Sequence, residues 1–147
     1  MQLSTHFTLD EMIASDTATR LNINNQPALP IISRLRVVAS LMELVRINLG
    51  SKPINISSGF RCDELNTRIG GAENSAHCQG YAVDFTCPAF GSPDKIFLAL
   101  KNDADLLEYD QLILEGTWIH LSFAPTKRKQ NLIADFTKNQ PTHYNIG

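Results

Sequence analysis

Between Pro30 and Gly50 the apolar residues Ile31, Leu35, Val38, Met42, Val45 and Leu49 recur at alternating steps of four and three. The period is helical, proline suits the first turn and glycine suits the end, so a long amphipathic helix is expected there as the central core element. A stripe of this kind packs against other elements far more often than it holds a cofactor. Ser33, Arg34, Arg36, Glu43 and Arg46 interrupt the same region, which is the most hydrophobic of the chain, so no stretch suits a membrane span.

Shorter elements arrange themselves around that helix. Thr8-Leu9-Asp10-Glu11 has capping-box spacing and predicts a short helix from Leu9 to Ser15, followed by a polar loop. Pro53 to Ser57 alternates as a strand, Asp63 to Ile69 reads as a small helix closed by Gly70-Gly71, and Tyr81 to Phe85 is a second strand. Ser92-Pro93-Asp94 opens a helix through Ile96, Phe97 and Leu100, and the acidic residues after it read as a solvated turn. Asp110 to Glu115 and Trp118 to Phe123 flank Gly116-Thr117, a two-residue hairpin signal. The expected fold is α+β, a small antiparallel sheet with helices packed on one side. A single domain over residues 1–136 and a polar C-terminal tail over 137–147 are expected, in a chain of 147 residues.

Composition excludes some partners. Thirteen Lys and Arg stand against fifteen Asp and Glu, with no block of either sign, so a nucleic-acid surface is not implied. The N-terminus Met1-Gln2-Leu3-Ser4-Thr5-His6-Phe7 lacks the basic start and apolar run of a secretory signal, which predicts a cytoplasmic protein in the producing cell. Cys62, Cys78 and Cys87 lack a paired metal-binding pattern and are expected as free thiols, with one disulfide left open.

The chemistry concentrates in two segments. Ser75-Ala76-His77-Cys78-Gln79-Gly80-Tyr81-Ala82-Val83-Asp84 places a histidine in a loop and a carboxylate inside the next strand, on the face opposite Tyr81, Val83 and Phe85. Trp118-Ile119-His120-Leu121-Ser122 sets Trp118, His120 and Ser122 on one face. With the turn at Gly116-Thr117, Glu115 pairs with Trp118 and Ile113 with His120, so Gln111, Ile113 and Glu115 share the His120 face. Two imidazoles and a carboxylate suit zinc and leave a fourth position for water, whose proton a nearby carboxylate can take. The simpler alternative makes His77 a loop cap, pairs Asp84 with Arg61 or Arg68, and leaves His120 as a polar strand residue. By composition and spacing alone that alternative is slightly favoured. His6 and His143 read as surface residues.

Ser57-Ser58-Gly59-Phe60-Arg61, Leu65-Asn66, Gly70-Gly71, Ser75-x-His77-x-x-Gly80-x-Ala82-x-Asp84 and Trp118-Ile119-His120-Leu121-Ser122 together resemble the zinc D-alanyl-D-alanine carboxypeptidase and L-alanyl-D-glutamate endopeptidase superfamily. The resemblance runs from about Ser4 to Ala124, and the branch looks like the small phage-type peptidoglycan peptidases. It implies Zn2+ held by His77, Asp84 and His120, substrate contact by Arg61 and Ser75, and a catalytic carboxylate before His120. Many relatives carry that acid three positions before the last histidine, where this chain has Thr117. Glu115 is therefore the substitute, and Asp110, of the wrong parity in the hairpin register, is the fallback.

The function so implied is cleavage of peptidoglycan stem or cross-link peptides by a monomeric bacteriophage endolysin, reaching the wall through a permeabilised membrane. A D,D-carboxypeptidase or dipeptidase acting on small wall precursors is the second reading. A catalytically inactive zinc-bearing structural or binding module is the third, and the residue at Thr117 keeps it open.

Overall fold

The structure is a computed structural model that describes residues 1–136 and 143–147, with the backbone but not the side chains of 143 and 144. In chain order the elements are α1 (Leu9–Ile13), α2 (Asp16–Arg20), α3 (Leu29–Asn48), β1 (Asn55–Ser58), α4 (Asp63–Arg68), β2 (Ala82–Thr86), α5 (Pro93–Asn102), α6 (Ala104–Leu107), β3 (Gln111–Leu114), β4 (Ile119–Ser122), β5 (Gln130–Asp135) and β6 (His143–Ile146). The apolar stripe does form the central helix: Leu35, Val38, Met42 and Val45 are buried along α3. The capping box also forms, with Glu11 N–H donating to Thr8 Oγ1 and Thr8 N–H to Glu11 Oε1. α1 stops short of Ser15 because the Ser15 hydroxyl instead accepts from Ala18 N–H and starts α2, where a polar loop was expected. The acidic stretch after α5 likewise makes one helical turn, α6, which ends at Glu108 in the left-handed region at φ 51°.

The six strands lie in the order β1-β2-β4-β3-β5-β6, antiparallel throughout except for β3 and β5. Val83, Phe85, Leu112, Leu114, Ile119 and Leu121 point to the helices and enter one core with α1, α3 and α5. On the other face Asp84 stands directly across from His120, and His120 across from Ile113. The core therefore occupies one side of the sheet and leaves the polar side for chemistry. A small second cluster, Ala18, Ile23 and Leu65, packs α2 against α4.

Two features depart from the expected all-antiparallel sheet and polar tail. β5 runs parallel to β3, and β6 extends the sheet beyond residue 136, pairing Leu132 with Ile146 through Asp135 with His143. Of the expected tail, residues 137–142 and the side chain of His143 lie outside the description. The parallel pair needs no crossover helix, because Ser122 ends β4 at the same end of the sheet where Gln130 begins β5. The chain only has to hop over the start of β3, and Asp110 holds that hop. Its carboxylate, 3% exposed, accepts from Thr126 Oγ1 at 2.7 Å, from Arg128 N–H at 3.0 Å, and from the Arg128 guanidinium at 3.0 and 2.8 Å. β5 carries no strand signal in the sequence because Gln130-Asn131-Leu132-Ile133-Ala134-Asp135 groups its apolar residues together and does not alternate them with polar ones.

This corner yields a stability prediction. The Arg128 bonds, opposed by burial and helped by Thr126, pull the Asp110 carboxyl from 3.8 to about 2. A depressed folded-state value means the stabilisation is complete above the ordinary carboxylate range and is lost as pH falls from about 4 to about 2. Asp110→Asn is expected to cost about 2 kcal/mol at neutral pH and to remove that acid limb, measured by thermal melts from pH 2 to pH 7.

Candidate metal centre

Three chain segments converge on the polar face. β2 and β4 supply Asp84 and His120 as direct cross-strand partners, and the loop entering β2 supplies His77. That loop turns at Gly80, whose φ of +79° is left-handed and where an added Cβ would lie 3.0 Å from Ile31 of α3. Arg34 of α3 clasps the same turn, donating to Gln79 O at 2.9 Å with its guanidinium carbon 4.9 Å from the Tyr81 ring centroid. The central helix thus fixes the loop that carries His77.

His77 is 2% exposed, and its Nδ1 lies 2.7 Å from the Gly59 carbonyl oxygen. Gly59 can present that carbonyl because it has no Cβ, which would sit 2.2 Å from Met12 O. An N–H at Nδ1 donates to this carbonyl and leaves the Nε2 lone pair facing Asp84 Oδ1, 3.2 Å away. His120 Nδ1 approaches the same oxygen at 3.0 Å, and the two rings meet edge to face with centroids 5.1 Å apart. The three ligand atoms lie within 4.8 Å of one another.

The electrostatics suit metal ligation. Burial would raise the Asp84 carboxyl, but the His120 and His77 imidazoles beside it outweigh burial and hold the group well below the ordinary carboxylate range. Burial lowers His77 from its usual value, against the pull of Asp84, which keeps the imidazole neutral and its lone pair available. Two imidazole nitrogens, one carboxylate oxygen and a carbonyl that orients one of the rings form a donor set that fits zinc with one position open.

A cleft of about 450 Å³ contains all three residues together with Arg61, Ser75 and Glu115. The six residues singled out from the sequence are therefore neighbours. Asp84 has the two histidine rings beside its Oδ1, and among the described residues it makes no salt bridge with Arg61 or Arg68, nor does Arg61 with Asp63 or Glu64. Arg61 Nη2 reaches Ser75 Oγ at 3.4 Å, and its Nε is buried with no hydrogen-bond partner among the described residues. Burial lowers the pKa of this guanidinium, opposed by the nearby Asp84. The hairpin keeps the expected register: Ile113 faces His120, Glu115 N–H donates to Trp118 O at 3.0 Å, and Gly116 sits at φ +82°. Glu115 consequently lines the cleft, whereas the fallback Asp110 does not and is occupied by Arg128 and Thr126. Cys62, Cys78 and Cys87 are free thiols. Leu132 of β5 also lines the cleft, a residue no sequence signal indicated.

A stretch of 63 residues is 42% identical to the zinc D-Ala-D-Ala carboxypeptidase of Streptomyces albus G, covering 43% of this chain and 23% of that relative's length. The sequence profile of the peptidase M15 family matches residues 5–122, a span that includes every member of the candidate centre. The chain belongs to the peptidase M15 family.

Proposed function

We propose that this protein is a zinc-dependent peptidase that hydrolyses the stem or cross-link peptides of peptidoglycan. The observation that carries the reading is the convergence of His77, Asp84 and His120 within 4.8 Å in a cleft that also holds a carboxylate, a guanidinium and a serine hydroxyl. His77, Asp84 and His120 would hold the zinc, which would supply Lewis acidity to a peptide carbonyl. Arg61 and Ser75 bind a substrate carboxylate or carbonyl beside it. Ser75 Oγ already accepts from His77 N–H and Arg61, so its own proton is left to donate to substrate. Glu115 takes a proton from the attacking water as the new C–O bond forms and gives it to the leaving nitrogen as the C–N bond breaks.

Digestion of purified peptidoglycan with mass analysis of the products tests this, with and without a chelator. Release of peptide fragments, lost on chelation and restored by zinc, is the expected result. The similarity to a D-Ala-D-Ala carboxypeptidase favours a second reading, in which only terminal D-alanine is released from small precursors. The motif resemblance to small phage-type peptidases supports the endolysin role, which requires cutting of intact wall. No hydrolysis of either substrate by the zinc-loaded protein would leave the inactive binding module.

Arg61→Lys provides a test within the cleft. Lysine keeps the charge but loses the planar fork that pairs with a carboxylate, so kcat/KM on wall peptides is expected to fall by about tenfold or more. Wild-type turnover in a folded Arg61→Lys protein would remove Arg61 from substrate binding.

A further inference from the structure

Asn25 lies in the irregular stretch between α2 and α3, yet it is only 8% exposed. Its Nδ2 donates to the carbonyl oxygens of Ile13 at 2.9 Å and Phe60 at 3.0 Å, and its Oδ1 accepts from Cys62 N–H at 2.8 Å. Phe60 and Cys62 flank Arg61. The remaining donors of this short segment are also tied, with Phe60 N–H on Met12 O at 2.7 Å and Arg61 N–H on His77 O at 3.3 Å. The Arg61 side chain is the opposite case. Among the described residues it makes one long hydrogen bond, to Ser75, and its Nε has no hydrogen-bond partner. A guanidinium with so few bonds of its own takes its direction from its backbone, and a buried amide bonded on both sides of that backbone sets the direction.

We propose that Asn25 is a positioning residue for Arg61, clamping Phe60 O and Cys62 N so that the guanidinium is held in the cleft beside Ser75. The inference rests on the substrate role of Arg61 given above. An apolar side chain at position 25 would leave a buried carbonyl and a buried N–H without partners, and the segment would shift to satisfy them. Displacement of a supporting contact of this kind costs turnover without altering the chemistry of the group it supports.

A double-mutant cycle between positions 25 and 61 tests the proposal. Asn25→Ala is expected to lower kcat/KM on wall peptides by roughly tenfold while zinc content by metal analysis stays at one equivalent. In an Arg61→Lys background the same change should cost almost nothing more. A general loss of structure would instead lower zinc content, or would multiply with the Arg61→Lys effect, and either result overturns the proposal. If Arg61→Lys is itself harmless, the substrate role of Arg61 is wrong and this inference falls with it. If Arg61→Lys is impaired and Asn25→Ala is not, only this inference falls. Should Asn25→Ala fail to fold, NMR relaxation of the Arg Nε–H groups in the wild-type protein decides the matter. An Arg61 Nε–H as ordered as the backbone without substrate is the expected result, and one as mobile as that of exposed Arg36 contradicts it.

Discussion

A His120→Ala protein is expected to lose its zinc and its activity together while keeping its fold. His120 supplies one of three donors, and a site this small does not hold its ion with two. The fold survives because the core residues of the same strand, Ile119 and Leu121, are buried on the opposite face of the sheet and untouched by the change. Removing Lewis acidity worth several kcal/mol lowers turnover by roughly a thousandfold or more. Metal analysis after dialysis against zinc should find less than about a tenth of an equivalent in the variant. His6→Ala is the control: His6 is paired with Glu43 on α3, away from the cleft, and its loss should change neither quantity. Full zinc retention by His120→Ala would dismantle the proposed centre.

Glu115→Gln is expected to separate the metal from the chemistry. Glutamine keeps the size and hydrogen-bonding capacity of the side chain but does not accept the proton of the attacking water. Zinc content should be unchanged and turnover should fall by about a hundredfold or more, the scale of a positioned acid–base group. The argument is one of register. Ile113 lies across from His120, so Glu115, two residues further and just past the end of β3, lies on the same side at the hairpin end and lines the cleft. Asp110 does not substitute, since Arg128 and Thr126 occupy its carboxylate and it lies outside the cleft. Activity within a few-fold of wild type would make Glu115 a solvated hairpin residue and move the base elsewhere.

Where one face of an element is apolar, sequence and structure agree closely. The stripe from Ile31 to Leu49 dictated α3, and the alternation in Tyr81–Phe85 and Trp118–Ser122 put Asp84 and His120 on the face away from the core, where they pair directly. Capping signals located α1 and α5. What escaped had no local period to reveal it. β5 begins in a run of cationic and amide residues and is held in place by Asp110, a contact between residues 18 apart in sequence. α2 was written in the Ser15-Asp16 pair, but its five residues are too few for a periodic pattern. Site residues on regular strands were legible for the same reason. The tie between Gly59 O and His77, and the clamp of Asn25 around Arg61, depend on loops brought together only by the finished fold.

X-ray absorption at the zinc edge of the metal-loaded protein probes the ligand set without relying on turnover. The account predicts a first shell of nitrogen and oxygen at about 2.0–2.2 Å with outer-shell scattering from two imidazoles, matching His77, His120 and Asp84. A sulfur shell at about 2.3 Å, which would bring in Cys78 beside His77, or a protein that takes up no zinc, would contradict it.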